Sequence, residues 1–403
     1  MSKKINTLWS AWTEESIELD FPDNWKIFEY SLPLDISMEE NEVDLKIISA
    51  LSNNIVSRKL AASRTVCILV DDINRPICWE LILKCLIRGL NKKNIQNENI
   101  IILTSTAAHA QMNSNELKLK IGSRIMRQIR VIQHSPHSDF KWFEYKGKQV
   151  GINNLFCKAD FKIAAGTLIP HPFAGFSGGG KAVMPGISDM DSIKRNHFLV
   201  SFGFGKVYDS KNSIRKQMDD IAELAGLDLI VNAVCNATRG VIKIFAGPLR
   251  ETYDEGVTFA QNYTSMELKS DHNILILNAY PKDQELVQVS NAFNVFNTLS
   301  EVSKRAIKTI VIIARLNKKV GYHGIFGPGG SLYKAPSPLR NLKECNLIFY
   351  SPSLSSKDFH NVFAEEYRLV NDWKQIMELL VKKKLVSYDI GIFHQASMQV
   401  VKR

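Results

Sequence analysis

Three glycines and a lysine, Gly178, Gly179, Gly180 and Lys181, stand at the centre of the stretch 169–187, IPHPFAGFSGGGKAVMPGI. Glycine admits φ > 0 and close backbone approach, and successive amides in such a turn can form an anion-binding nest. A lysine placed directly after it is held close to whatever the nest binds, and Ser177 adds a hydroxyl at its entrance. The segment 175–182, GFSGGGKA, also fits GxxxxGK, the opening of the phosphate loop of nucleotide hydrolases. That pattern needs a Ser or Thr after the lysine to hold magnesium. Here the position is Ala182, and the preceding PHPFA makes a poor strand, so the nucleotide-hydrolase reading is set aside.

Histidines surround this segment in the chain. His109 ends STAAH, His171 lies in PHPFAG, and His197 closes RNH. An imidazole with its ordinary pKa of about 6.5 serves as acid, base or metal ligand. The turn DDINRP contributes Asp71, Asp72 and Arg75; strand alternation sends the two aspartates to opposite sides. An isolated histidine is usually structural, and His134 is read as a packing or supporting residue. His272, His323, His360 and His394 sit in no motif.

The elements that must position these groups follow an α/β rhythm. Residues 65–72 (TVCILVDD) read as a buried parallel strand, 78–90 as an amphipathic helix, and 99–104 (NIIILT) as a second strand, which is a βαβ unit. Further strands are expected at 127–133, 160–165, 227–234 and 241–245, with helices at 115–121 and 213–225 and a short one over DSIKRNHFLV presenting His197. In an open parallel sheet, ligands gather beyond the carboxyl ends of the strands. Asp72 and Arg75, His109, His134 and His171 fall at four successive strand ends, so one sheet edge collects titratable and cationic groups.

A second α/β set follows the polar stretch ELKSDH, with strands at 273–277, 309–314 and 346–351, a long helix from about 282 to 305 and another near 367–384. At 403 residues two domains are expected. The reading is an α/β fold of two domains, each with a mainly parallel sheet flanked by helices, and an active site in the cleft between them. The boundary is placed near 267, giving 1–266 and 267–389, with the tail 390–403 a candidate to rejoin the first domain.

Six scattered cysteines without a CxxC point to buried thiols and a cytoplasmic setting. No apolar run approaches the roughly 20 residues of a spanning helix, and no signal peptide is evident. The net charge of +10 is spread along the chain without a nucleic-acid-binding signature. A basic surface that gathers small anions accounts for it, so neither nucleic acid nor membrane is expected as a partner.

Taken together, DDINRP, STAAHA, PHPFAGFSGGGKAVMPGI, RNH and PKDQELVQ, in that order, resemble the nickel-pincer-dependent lactate racemase family. The resemblance implies a pyridinium mononucleotide carrying two sulfur arms and nickel. It implies that Lys181 forms the covalent thioamide link, that His197 ligates nickel, and that His109 and His171 are acid/base groups flanking a small 2-hydroxy acid. Asp72 and Arg75, with Ser177, Gly178, Gly179 and Gly180, would line the cofactor, and Gln288 would contact substrate. Enzymes that make the cofactor are implied as partners, and a homo-oligomer is left open.

One position departs from the pattern: where lactate-acting members carry a lysine three residues after the glutamine, this chain has Asn291. Asparagine hydrogen-bonds a carboxylate but brings no positive charge. Either another cation binds the carboxylate or the acid is not lactate. The rival readings are a 2-hydroxy acid dehydrogenase using the same cofactor and a cofactor-binding protein without turnover.

Overall fold

The computed structural model describes residues 2–199, 208–339, 342, 345–382, 385 and 387–402. The chain divides into two compact units, Pro33–Tyr263 and the pair of segments Met1–Leu32 and Thr264–Arg403.

The unit of residues 33–263 is built on a six-stranded sheet. From one edge to the other it runs Val241–Gly247, Leu229–Cys235, Phe161–Thr167, Val66–Asp71, Ile100–Ser105 and Arg130–Gln133. Every pairing is parallel except the first, where Val241–Gly247 runs antiparallel to its neighbour. Burial explains the sequence pattern: Val66–Val70 and all of Phe161–Thr167 are covered on both faces, hence their unbroken apolar runs. The helix Glu80–Asn91 turns Ile82, Leu83, Leu86, Ile87 and Leu90 inward. Helix Ser114–Ile121 opens with a capping box in which Asn113 and Glu116 exchange side-chain and backbone bonds.

The other unit carries a second six-stranded sheet, entirely parallel, in the order Arg368–Val370, Asn346–Tyr350, Thr309–Ile313, Ile274–Asn278, Asp389–Phe393 and Lys26–Tyr30. Aliphatic and aromatic clusters cover both faces. The hairpin Ser2–Leu8 with Ser16–Pro22 supplies Ile5, Leu19 and Phe21 to one of them.

The fold is therefore mixed α/β with largely parallel sheets flanked by helices, as the sequence pattern indicates. The chain's path differs from a single boundary near 267. Lys26–Tyr30 pairs with Asp389–Phe393, so residues 1–32 group with the C-terminal half rather than with 33–263. The tail also stays there, since Val400–Val401 pairs with Ser265–Met266. Pairings between strands so distant in sequence leave no local signal. The long helix expected over 282–305 is instead a 3-10 segment, Leu286–Phe293, followed by helices Asn294–Thr298 and Glu301–Ala306. Arg127 and Gln128 belong to helix Ser123–Gln128, not to the strand that follows. Val200 and positions 383–384, at the ends of two expected helices, lie outside the described residues.

Candidate functional site

The carboxyl ends of the central strands in the 33–263 unit open on one cavity. Asp72, Arg75, His109, Ser177, Gly178 and Lys181 are among the side chains and backbone that line it. Asp71 and Asp72 do diverge. Asp71 bonds the Trp79 indole, the Thr167 amide and the fully buried Lys120 ammonium, the last at 2.6 Å. It ties three segments together. Asp72 turns the other way and meets His109.

His109 Nδ1 lies 2.5 Å from Asp72 Oδ2, and Asp72 Oδ1 accepts from the Asn74 amide. Burial works against ionising this carboxyl, but His109, Arg75 and Lys120 together outweigh burial and hold it well below the usual carboxylate range. A carboxylate at Nδ1 holds a ring proton there and fixes the orientation of the imidazole. His171 is set the opposite way. Its Nδ1 accepts from the Phe173 and Ala174 amides at 3.3 and 3.2 Å, so a neutral ring carries its proton on Nε2.

His197 is carried on helix Met190–Phe198, which Asp189 caps through the Asp191 and Ser192 amides. Its Nδ1 donates to the Ile193 carbonyl at 2.9 Å, a bond that fixes the ring's orientation. Burial first, then the charges of Lys181 and His109, push its pKa down to about 4 despite the Ile193 bond. Phe173 stands between two of the histidines, edge-on to both His171 and His197 at ring separations of 5.7 and 6.3 Å.

Lys181 sits in the 3-10 turn Gly179–Ala182. Its amine makes no hydrogen bond or ion pair among the described residues. Burial, reinforced by the Arg75 and Arg215 guanidiniums, pushes the ammonium down to about 7 against the pull of Asp72. A lysine in that range is substantially a free amine at neutral pH, the form that attacks carbonyl-type carbon.

The amides of the turn meet side chains in this structure. The Gly179 amide donates to Asn232 Oδ1 and the Gly180 amide to Asp219 Oδ1, each at 3.2 Å, so both donors are taken by side chains. Ser177 is likewise spent, donating to the Thr167 carbonyl and accepting from the Ile169 amide. Gly178 and Gly179 have φ of 79° and 58°, and a Cβ on Gly179 would lie 2.7 Å from the Tyr253 ring. These residues shape and aim the lysine turn.

Residues that sequence reasoning missed do the anchoring. Arg215, 2% exposed, donates to the Ala174, Phe176 and Gly178 carbonyls, pairs with Asp219 and stacks 4.4 Å over Tyr253. The spacing of Arg215 and Asp219 is the familiar helical i, i+4 pair and reads as a solvated face; nothing local marks it as buried. His134 has the supporting part expected of it. It contacts the Ser188 carbonyl and the Asn153 amide, and burial lowers its pKa to about 4.

Residues 12–204 match the model of the lactate racemase N-terminal domain. The lactate racemase of Thermoanaerobacterium thermosaccharolyticum is 28% identical over 265 residues, 63% of this chain and 61% of that one. That of Lactiplantibacillus plantarum is 26% identical over 296 residues, 72% of this chain and 69% of its own. The chain is thus similar to the lactate racemases, most plainly over residues 12–204. Its fold resembles the apoprotein structure of the Thermoanaerobacterium lactate racemase across the full length of both chains, with a TM-score of 0.77 at 20% identity. A Thermotoga maritima protein of known structure also shares the fold, at TM-score 0.65 and 14% identity over 91% of this chain.

Gln288 and Asn291 are carried by the other unit, in the 3-10 segment Leu286–Phe293, and both are buried. They follow strand Ile274–Asn278, at the carboxyl edge of that unit's own sheet. Among the described residues, no group of three or more His, Cys, Asp or Glu side chains could hold a metal by itself, and no helix is long and apolar enough to cross a membrane.

Proposed function

We propose that the protein is a racemase or epimerase of a small 2-hydroxy acid, working with a nickel-pincer nucleotide joined covalently to Lys181. The observation that carries this reading is Lys181 itself: an amine without a hydrogen-bond partner among the described residues, held near neutrality, facing a cavity shared with Asp72, Arg75 and His109. The sequence kinship with lactate racemases supports the substrate class.

The residues fit such a group. Lys181 would bind it covalently, and Arg75, whose guanidinium makes one backbone bond to Asn74, would pair with its phosphate or carboxyl oxygens. His197 offers one imidazole nitrogen, as suits a metal whose remaining donors come from a non-protein ligand. When bound, the cofactor supplies a reversible acceptor for the hydride at C2, which avoids a carbanion at a weakly acidic carbon.

The chain's own residues handle the proton. His109, oriented by the Asp72 carboxylate, accepts the substrate hydroxyl proton, and that carboxylate stabilises the resulting imidazolium. His171 presents Nε2–H and donates to the substrate oxygen. The two rings are held through different Nδ1 contacts, a carboxylate for His109 and two backbone amides for His171, so they meet the two enantiomers differently.

The test loads the full chain by co-expression with cofactor-making enzymes and offers single enantiomers of several 2-hydroxy acids. Chiral chromatography should show conversion to the opposite enantiomer, and mass spectrometry after reaction in deuterated water should show no deuterium at C2. Accumulation of the 2-keto acid without inversion would establish a dehydrogenase instead. A covalent adduct without any turnover would establish a carrier.

A further inference from the structure

Lysines withdrawn into this protein differ in what holds their amines. Lys120 pairs with Asp71 at 2.6 Å, Lys162 donates to the Ala159 carbonyl at 2.7 Å and Lys282 to Asn291 at 2.8 Å. Lys181 has no such bond among the described residues, and it lines the cavity at the carboxyl ends of the first sheet. Withdrawn polar groups are nearly always paired, so an unpaired amine facing a cavity points to a ligand. The turn around it is held by side chains on the Gly179 and Gly180 amides, so the amine is presented from a fixed backbone.

Arg75 lines the same cavity and is 6% exposed. Its guanidinium donates to the Asn74 carbonyl at 3.2 Å and forms no ion pair among the described residues. The rest of its fork suits a carboxylate. The local backbone does not lean on that guanidinium: Lys120 holds residue 75 through its carbonyl at 2.8 Å, and Asp72 accepts from the Asn74 amide at 3.0 Å. An amine that adds to carbonyl carbon, beside a cation that binds carboxylate, selects a 2-oxo acid, which carries both groups on adjacent carbons. His109, held by Asp72, lines the cavity as an acid/base group for the departure of water.

We propose that, before any cofactor is attached, Lys181 binds a small 2-oxo acid as a reversible imine, with Arg75 on its carboxylate. Nζ adds to the C2 carbonyl carbon, and the carbonyl π pair moves to oxygen. The nitrogen gives up a proton and the oxygen gains one. The hydroxyl then takes up a second proton and leaves as water while the nitrogen lone pair closes the C=N bond, and the remaining N–H proton is released. Amine and ketone thus give imine and water, with no oxidation or reduction. The adduct occupies the atom to which the proposed function ties the cofactor, so the 2-oxo acid and the cofactor exclude one another. The imine itself goes beyond that reading, since it needs neither nickel nor nucleotide.

The test uses the full chain made without cofactor-making enzymes, incubated with pyruvate and reduced by cyanoborohydride, which fixes an imine as a stable amine. Intact mass should show a single adduct, and peptide mapping should place it on Lys181. Lys181→Met should lose it. Pyruvamide, the neutral counterpart, should label wild type about tenfold less, as should pyruvate with Arg75→Gln, the worth of one charge-assisted hydrogen bond. No adduct on wild type, or one spread over surface lysines, overturns the imine. Equal labelling by pyruvamide, or in Arg75→Gln, overturns the preference for a 2-oxo acid. If Lys181→Met does not fold, the mapped wild-type peptide decides alone. Because no cofactor is present, failure here leaves the racemase reading standing, and an adduct without racemisation in the loaded chain removes only that reading.

Discussion

Lys181 and His197 owe their chemistry to being kept neutral. For Lys181 the folded pKa is about 7 and the unfolded value about 10.5. Between those values the unfolded chain holds a proton that the folded chain does not, so the lysine's cost to stability is full below pH 7 and fades as pH rises toward 10. Lys181→Met should therefore melt higher than wild type at pH 7, with the gap closing toward pH 10 in a scanning calorimeter. A gap that ignores pH would mean the amine is not held neutral by its surroundings. The same variant, co-expressed with cofactor synthesis, should show no mass adduct. On the proposed function, His197→Ala should keep the adduct but lose most nickel by elemental analysis, since His197 is the residue proposed to hold the metal.

At the level of elements, the lysine turn depends on a helix that does not touch the chemistry. Helix Ser213–Leu224 delivers Arg215 into three carbonyls of the 174–178 segment, and Asp219 onto the Gly180 amide. Arg215→Met would strand three carbonyls and a buried carboxylate, and should destabilise the protein by about 3–5 kcal/mol, measurable by urea unfolding. Arg215→Lys should recover only part, lacking the guanidinium fork. This dependence was invisible in sequence. DDINRP, STAAHA and GGGK announce themselves because turns, glycines and titratable residues cluster within a few positions. Arg215 and Asn232 act on the turn from 37 and 53 residues away, through bonds that no local pattern encodes. The strands of the first sheet were legible because burial on both faces imposes continuous apolar runs. The first 32 residues were not, because Lys26–Tyr30 reads as half-polar and finds its partner only at the far end of the chain.

For the molecule as a whole, acid is the expected weakness. Burial lowers both His134 and His197 to about 4, against about 6.5 in the unfolded chain. Unfolded protein takes up protons across that interval and the folded protein resists them, so their contribution is intact above pH 6.5 and disappears as pH falls toward 4. The melting temperature should drop over this range, and His134→Gln should flatten the slope. A slope identical in wild type and variant would mean that His134 is not the group responding. The pairing of Lys26 with Asp389 also sets a schedule for biosynthesis. At about 5–20 residues per second, a ribosome that has made position 26 needs roughly 20–70 s to reach position 389. During that interval the segment 33–263 emerges complete and can finish folding, while the first 32 residues wait without their neighbour strand. A cell making this protein therefore holds an unmatched N-terminal edge for most of each synthesis, and a nascent-chain-binding chaperone would find its target there.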